Sequence, residues 1–431
     1  YTGGCRVSGT HVKSVVRIAL DDTDHIDHAC TTEHFQRLLS MLKVGVDDFS
    51  VIERRLVRLW PFAPKRTRGN AALSAVCELG HGTLDDVNKI CKKFIEDLAL
   101  EIETEYPSEG QRPDPCLLVS NVEFPEEWYW QAVRREVKLK TRLEDLPDST
   151  IIHSISRHPA GLIGASSAIA WNPSQGSTWE LIAWRQSNRI RTNREVAQQS
   201  IIDMSEKFPG TFANRDPTTG RGMIMPRTNC PVLYGVRGNS AEEVSDAHKF
   251  MQSRDDVETC ETWAIHRTNQ VSDDHLLGYH SAVVSGLPNE VQGGHSSVLV
   301  WDGEVRKTLV AFAESGPVNV LLRSTRPGDE VDWLGLKAPS DEIHLERLRV
   351  KSTVPRTGER PSCCGKAMRS AGKGQGLRCT ICGSIKEKTW KIESISFDGQ
   401  NDGWVEPTTA NRRHLAMPLE RSLPSPAKNQ D

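Results

Sequence analysis

A short apolar run at residues 15–20 ends abruptly in three carboxylates, Asp21, Asp22 and Asp24. The run has the length and composition of a buried strand. Thr31 and Thr32 then precede Phe35, Leu38, Leu39 and Leu42, which share one face of a helix by their spacing. A strand that ends in an acidic loop and feeds a helix commits this part of the chain to an α/β layer. Ligands of such layers sit at the carboxyl ends of the strands. A helix N-terminus offers N–H groups and a positive dipole end, which suit a phosphate. Three adjacent carboxylates repel one another unless a cation joins them, and oxygen ligands beside phosphate favour Mg2+. Taken alone, the same residues equally describe a solvated acidic turn before a helix.

A second strand is expected at residues 54–60 and a third at 71–79. Between them, Lys65, Arg66, Thr67, Arg68, Gly69 and Asn70 make a cationic turn whose backbone can approach an anion. The spacing of a Walker A loop is absent. An acidic loop, a threonine at a helix start and a basic glycine turn together have the parts of a phosphoryl-transfer site.

With 431 residues, two to four domains are expected. The hydrophobic fraction is 37% and no run of 18 apolar residues occurs, so no membrane helix is expected. The first residues lack the charged and apolar regions of a signal peptide. Residue 1 is Tyr rather than Met, and the native start is expected upstream. A net charge of −3 means that any nucleic-acid contact must come from local patches. Of 11 cysteines, four cluster near the C-terminus and the others are scattered. That is the pattern of a reducing compartment with one metal site, and a cytoplasmic location is expected.

In chain order, a helix is expected from Thr83, with Asp86 in its first turn, then a Pro/Gly-rich loop at 106–115 and a helix over 126–146 with Trp128, Trp130, Val133 and Val137 inside. Strands at 179–184, 230–236 and 261–266 alternate with helices at about 194–208 and after Ser240, where Ser240 and Glu243 form a capping box. That alternation fits a ferredoxin-like α+β unit. Strands at 296–301, 308–313, 330–334 and 343–350 suit a small β-barrel, either an OB-fold or an SH3-like barrel.

Cys363 and Cys364 are followed, after 14 residues, by Cys379 and Cys382. Two thiolate pairs on Gly-ended turns suit a tetrahedral Zn2+ site. The second pair has knuckle spacing. The first does not, and Pro361 stands where its first cysteine would fall. The loop between them, 366–378, is rich in cations and glycine and suits phosphate contacts. The tail at 406–419 reads as an exposed basic segment with an apolar anchor, and residues after 420 as disordered.

These motifs resemble, in order, the archaeal tRNA(Ile) 2-agmatinylcytidine synthetase (TiaS) family. The resemblance rests on Asp21-Asp22-Thr23-Asp24, Cys30-Thr31-Thr32 and Thr67-Arg68-Gly69-Asn70. It continues through residues 161–169, 180–185, 211–214 and 230–238, Gln292-Gly-Gly-His295, the cysteine ribbon and the tail. Ala160 stands where the family usually has Arg, and Arg66 where it commonly has Lys. The resemblance implies a multidomain α/β and α+β chain. Its parts would be a kinase-like ATP-binding domain (1–155), a ferredoxin-like agmatine-binding domain (156–266), an OB-fold β-barrel (267–352), a zinc ribbon (353–395) and a basic tail (396–431). It implies ATP-dependent joining of agmatine to C2 of the wobble cytidine of an isoleucine tRNA, through a phosphorylated cytidine, with release of AMP and phosphate. Thr31 would match the phosphate-accepting threonine, Asp21, Asp22 and Asp24 would hold Mg2+, and Arg66, Thr67, Arg68, Gly69 and Asn70 would cradle ATP. Agmatine would meet Gly164, Asn214 and Asp216. The tRNA, gripped at its anticodon loop and acceptor side, would meet Lys373, Gln375, Arg378, Arg412, Arg413 and His414. Cys363, Cys364, Cys379 and Cys382 would hold Zn2+. No membrane and no obligatory protein partner are implied.

Two other readings use the same residues. One is a non-catalytic tRNA-binding protein, against which the intact carboxylates and Arg68-Gly69-Asn70 stand. The other is an ATP-dependent enzyme of the same build that uses a different amine or base.

Overall fold

The first strand, β1 (Ser14–Asp21), buries Val16, Ile18 and Leu20 on one face and Ala19 on the other, as the period of two requires. The computed structural model describes residues 13–25, 29–66, 69–107, 112–173, 177–354, 356–357, 360–387, 392–393 and 400–427. It divides into two compact units, residues 1–277 with 408–421, and 278–407 with 422–431.

In the first unit β1 is followed by α1 (Thr31–Gly45), β2 (Phe49–Arg58), β3 (Ala71–Leu79), α2 (Leu84–Glu105), β4 (Cys116–Ser120), α3 (Glu127–Arg134), α4 (Leu139–Asp145) and β5 (Ile151–Ser154). Then come α5 (Gly161–Ala170), β6 (Thr178–Arg185), α6 (Gln198–Lys207), β7 (Thr211–Phe212), β8 (Val232–Gly238), α7 (Ala241–Gln252) and β9 (Cys260–Thr268). All nine strands form one sheet in the order β5-β4-β1-β3-β2-β9-β6-β8-β7. The sheet runs unbroken past residue 155. Its two halves join where β2 pairs in parallel with β9, Arg55 to Arg267 and Leu56 to Thr268.

Helices α1 and α2 cover one face, with Phe35, Leu38, Leu42, Val87, Phe94 and Leu98 buried against β1. Thr83 and Asp86 cap α2 reciprocally, as their spacing predicts. Ser240 caps α7 at the Glu243 N–H, but the Glu243 carboxylate accepts from the Gly210 N–H instead of closing the box.

The other face carries α3, α4 and α5. The single helix expected over 126–146 is two helices, because Arg135 (φ −156°) and Lys138 are extended. The break lets α4 turn back, so that the buried Arg142 guanidinium lies 4.4 Å from the Trp128 ring centre and donates to Ser166 and Ser167. Tyr129, not Trp130, is the fully buried ring.

In the second unit, β10 (His280–Val284), β11 (Asn289–Glu290), β12 (Ser296–Trp301), β13 (Arg306–Ala311), α8 (Pro317–Ser324), β14 (Glu330–Lys337) and β15 (Ile343–Ser352) follow in order. β10 pairs with both β14 and β12, so five strands close into a barrel in the order β10-β12-β13-β15-β14. β13 and β15 are parallel. Proline at its first turn starts α8, whose Val318 and Leu322 plug the barrel core. Residues 421–427, expected to be disordered, are placed: Tyr279 exchanges backbone hydrogen bonds with Ser425 and Ala427. No helix of the described residues is long and apolar enough to cross a membrane.

Helix and sheet approach each other closely at the start of α5. A Cβ on Gly161 would lie 2.6 Å from the Asp21 carbonyl oxygen and 2.9 Å from the Cys116 backbone nitrogen. Neither backbone atom can yield without moving β1 or β4. Gly161→Ala is therefore expected to destabilise the first unit by about 1–3 kcal/mol. Urea unfolding followed by tryptophan fluorescence measures it, and an unchanged midpoint would show that α5 shifts freely.

Candidate active site and cysteine cluster

The carboxyl end of β1, the start of α1, the β2–β3 turn, β6, β8 and the returning segment 408–421 surround one cavity of about 640 Å3. Asp24, Thr31, Arg66, Gly69 and Asn70 line it, together with Arg413 and His414. Thr67 and Arg68, expected in the phosphate cradle, lie outside the described residues.

Helix α1 begins at Thr31, and its N-cap residue Cys30 makes no side-chain cap. The Thr31 hydroxyl instead donates to Asp24 Oδ1 at 3.0 Å, so the helix start is tied to the acidic loop. The Thr32 hydroxyl accepts from Trp184 Nε1 on β6 at 3.2 Å, which ties the same turn to the other half of the sheet. Behind the loop, His34 Nδ1 lies 2.8 Å from the Thr23 hydroxyl and its Nε2 3.2 Å from Glu101, while the Tyr106 hydroxyl donates to the Thr23 carbonyl.

The three carboxylates point in different directions. Asp24 faces the cavity; Asp22, in the left-handed region at φ 57°, accepts from the Asp114 N–H; Asp21 lies under α5, where a Cβ on Gly164 would fall 1.7 Å from its Oδ2. Burial, then the Asp22 charge, pushes the Asp21 carboxyl well above its ordinary range. Burial also lifts Asp22 to about 7; the hydrogen bond from the Asp114 N–H works against the rise, and the Asp24 and Asp114 charges add to it. Asp114 is thus a fourth acid of the cluster, which the sequence reading did not single out.

In the cationic turn, Asn70 adopts φ 45° and donates to the Trp60 carbonyl at 2.7 Å. A Cβ on Gly69 would lie 2.3 Å from Arg58 Nη1 and 3.1 Å from the His414 ring, so any side chain there would displace the Arg58 guanidinium.

The opposite wall was not foreseen. Glu180, in the middle of the apolar β6, is buried among Arg58 (3.4 Å), Arg237 (3.2 Å) and Gln270, whose Nε2 donates to it. Burial pushes its carboxyl up, but the Arg237 and Arg58 charges more than offset this and hold it below its ordinary value. Gly235 leaves room for it, since a Cβ there would sit 2.9 Å from Glu180 Oε1. Arg58, Arg237 and Arg227 line the cavity with Arg66 and Arg413, so its field is strongly positive. A single Glu inside an otherwise apolar strand was the available signal, because such a charge is buried only with partners.

The tail is built into this wall. The Val271 N–H donates to the His414 carbonyl, the Asp273 N–H to that of Leu415, and the Met417 N–H to the Asp273 carboxylate. The Arg413 guanidinium lies 5.0 Å from the Phe62 ring centre, and Arg412 donates to the Thr409 hydroxyl. The expected basic segment is fixed in place, and its apolar anchor is Leu415, which packs into the core. His414 keeps solvent access, yet the Arg58 charge first, with desolvation and Arg237, holds its imidazole well below its ordinary value. Asn214 and Asp216 are not among the lining residues. Asp216 accepts from the Thr218 N–H and the Thr219 hydroxyl within its own turn, and Asn214 donates to Thr211 while its buried Oδ1 has no partner.

In the second unit, the Sγ atoms of Cys363, Cys364, Cys379 and Cys382 all lie within 4.8 Å of one another. Cys364 takes φ 52°, and Gly365 follows at 76°; this left-handed turn brings two adjacent thiols to one point. The spacings Cys363–Cys382 (3.6 Å) and Cys363–Cys364 (3.9 Å) bracket the roughly 3.8 Å expected between sulfurs on a tetrahedral Zn2+ with bonds of about 2.3 Å. Around them, among the described residues, the core is Met368, Leu377 and Cys379, with Cys363 packed against it. Lys373, Gln375 and Arg378 lie exposed on the intervening loop, whose Gly372, Gly374 and Gly376 take positive φ.

Comparison with known proteins matches residues 17–153 to the TiaS TCKD domain, 160–275 to the TiaS FLD domain and 360–395 to the TiaS C-terminal zinc ribbon domain. The chain is 33% identical to the tRNA(Ile) 2-agmatinylcytidine synthetase TiaS of Methanosarcina mazei, covering 94% of this chain and 97% of that protein. It is 32% identical to the same enzyme of Archaeoglobus fulgidus, over 94% and 97%. Among solved structures, a complex of TiaS with its isoleucine tRNA and ATP superposes with a TM-score of 0.80 at 26% identity, over 96% of this chain and 100% of that one. Apo TiaS superposes with a TM-score of 0.77 at 26% identity, over 95% and 98%. With this extent of identity along its whole length, the chain belongs to the tRNA(Ile) 2-agmatinylcytidine synthetase (TiaS) family.

Proposed function

We propose that this chain uses ATP to join agmatine to C2 of the wobble cytidine of the isoleucine tRNA with a CAU anticodon, consuming one water and giving 2-agmatinylcytidine, AMP and two phosphates. The observation that carries the reading is the one cavity in which a helix-start threonine, a carboxylate and a cationic glycine turn meet. The names of the relatives give the amine and the tRNA.

A carbonyl oxygen leaves poorly, and phosphorylation of the C2 oxygen turns it into a good leaving group. The amine nitrogen then adds at C2, loses its proton, and the oxygen departs with the phosphate. The wobble base must leave its stack to reach such a cavity. Thr31 takes the phosphate-accepting role, with its proton directed at Asp24. Arg66, Thr67, Arg68, Gly69 and Asn70, with Arg58, Arg237 and Arg413 across from them, receive the phosphates. Asp21, Asp22 and Asp24 offer oxygen donors of the type a hard cation takes, and burial, with neighbouring charge, raises Asp21 and Asp22, but the three carboxylates do not converge on one point as the four cysteines do. Asp24, with Asp21 and Asp22 behind it, would hold Mg2+, which supplies charge neutralisation at the phosphates. For the amine, Gly164 packs on Asp21 and Asp216 is engaged in its turn. That leaves Asn214, whose buried Oδ1 has no partner, as the acceptor proposed for a cationic ligand, although it lies off the cavity lining.

The domain readings follow. Residues 1–155 are kinase-like, 156–266 ferredoxin-like and 267–352 an OB-fold. The barrel's strand order, its parallel β13–β15 pair and the helix between β13 and β14 support the last over an SH3-like barrel. Residues 353–395 hold Zn2+ on four thiolates. Their loop, with Lys373, Gln375 and Arg378, grips the tRNA backbone on its acceptor side; Arg412, Arg413 and His414 act beside the cavity.

Thr31→Ala is expected to lower amine transfer about 100-fold or more while tRNA affinity persists. Nucleoside mass analysis after incubation with ATP, labelled agmatine and tRNA transcript measures it, and unchanged turnover would remove Thr31 from the mechanism. One Zn2+ per chain is expected by metal analysis of freshly purified protein. A Cys379→Ser/Cys382→Ser variant should lose it, and zinc retained in that variant would rule out the four-thiolate site.

A further inference from the structure

The acidic loop is held from behind as well as from the cavity side. Thr23, between Asp22 and Asp24, is fully buried. Its hydroxyl and its carbonyl are both taken: His34 Nδ1 lies 2.8 Å from the hydroxyl, and the Tyr106 hydroxyl donates to the carbonyl at 3.0 Å. His34 stands one turn after Thr31 on α1, and Tyr106 is the C-cap residue of α2. The far ring nitrogen, Nε2, lies 3.2 Å from Glu101 Oε1, near the C-terminal end of α2. The other Glu101 oxygen accepts from Arg37 Nη2 at 2.7 Å, and the Arg37 guanidinium rests 5.5 Å from the Phe94 ring centre. Arg37, Glu101, His34 and Thr23 thus form one chain that runs from the surface of the helix pair to the loop.

Each link in that chain has a defined geometry. A carboxylate at Nε2 keeps a proton on that nitrogen, and Nδ1 is then presented to the Thr23 hydroxyl. Burial pushes the Glu101 carboxyl up, but the His34 hydrogen bond and charge, with Arg37, outweigh it and lower it to about 2. The His34 side chain is 1% exposed, so water does not compete for its hydrogen bonds. The loop needs such a hold. Its carboxylates repel one another, and Asp22 sits in the left-handed region at φ 57°, which persists where the surroundings enforce it. On the cavity side, α1 meets the same loop where the Thr31 hydroxyl donates to Asp24. The first turns of one helix therefore grip the loop on both faces.

We infer that His34, oriented by Glu101, is a positioning residue for phosphoryl transfer: by fixing Thr23 it sets the direction of the Asp24 carboxylate, and so of the Thr31 hydroxyl. The inference rests on the proposed function and deepens it. Neither His34 nor Glu101 lines the cavity, so both act through Thr23 rather than by contact with ATP. The path to Thr31 is one peptide link and one hydrogen bond long. Loosening Thr23 lets Asp24 turn, and the Thr31 hydroxyl turns with it. The cationic turn and the arginines that receive the phosphates stay where they are. The rate of the chemical step falls while binding persists, because small misplacements of a reacting group cost rate before affinity.

The test uses the full chain and side chains that keep one end of the ring's contacts. His34→Gln puts an amide near the place of Nε2, so it keeps Glu101 and loses Thr23. His34→Asn puts an amide near the place of Nδ1, so it keeps Thr23, as donor or acceptor, and loses Glu101. Thr23→Val removes the hydroxyl at nearly equal volume. His34→Gln and Thr23→Val should each lower kcat about 10-fold, for amine transfer and for phosphate release from ATP, with KM for ATP unchanged. His34→Asn should recover most of that rate. The double variant His34→Gln/Thr23→Val should be no slower than either alone, since both remove one hydrogen bond. Urea midpoints show whether each variant is folded. A folded Thr23→Val with unaltered kcat would overturn the inference. So would losses that multiply in the double variant, or an Asn variant as slow as the Gln variant. Failure of both Thr23→Val and His34→Gln to fold would make the contact a purely structural one and overturn it too. An unaltered chain that releases phosphate from ATP but transfers no amine would remove the proposed function, while the phosphate-release rates still decide the inference. An unaltered chain that does neither would remove both.

Discussion

Asn269 answers both backbone groups of Arg58: its Oδ1 accepts from the Arg58 N–H at 2.8 Å and its Nδ2 donates to the Arg58 carbonyl at 2.9 Å. One buried side chain thus extends the parallel β2–β9 pairing by a step that the backbone cannot make. The same amide reaches the Tyr129 hydroxyl, which donates to Asp274. The two half-sheets, joined through strands β2 and β9 whose paired residues are more than 200 positions apart in sequence, are held in register at the point where Arg58 turns toward the cavity. Removing one partner of such a buried exchange leaves polar groups unsatisfied, which costs about 1–3 kcal/mol each. The more important consequence is positional, because the walls of the cavity belong to different half-sheets.

The charges along that junction follow from it. Glu180 on β6 draws Arg58 of β2 and Arg237 of β8 to one carboxylate. A buried ionic group of this kind contributes little net stability, since desolvation offsets most of its attraction. What it does supply is orientation. Two guanidinium groups stay near each other, and a positive field stays in a cavity that would otherwise repel them apart. His414, beside them, is kept neutral by the same charges.

Much of this was legible in the chain. The acidic loop, Thr31 at its helix start and the glycine turn were read from spacing, and the structure brings Asp24, Thr31, Arg66, Gly69 and Asn70 to one cavity. The four cysteines were read from their pairs; the first pair lacks knuckle spacing, and the left-handed turn at Cys364 is what brings its two thiols to one point. Missed elements share a cause. β4, at five residues, and β5, at four, are too short to show a period, yet β4 sits next to β1 in the sheet. Glu180, Arg58 and Arg237 come from three strands, and no local pattern announces that they meet. That the tail forms part of the cavity wall has no local signal, because its backbone partners, Val271 and Asp273, lie some 140 residues upstream in sequence.

The return of residues 408–421 to the first unit makes that unit discontinuous along the chain. During synthesis, residues 1–277 leave the ribosome with a sheet that can already pair all its strands, but with one wall of the cavity missing. The whole intervening unit, from residue 278 to 407, must emerge before Arg413 and His414 can dock. Closing so long a loop adds only a modest entropy cost, because that cost grows with the logarithm of length. The active cavity is therefore the last part of the first unit to be completed, and a ribosome that stops short of residue 415 releases a folded sheet without a finished site.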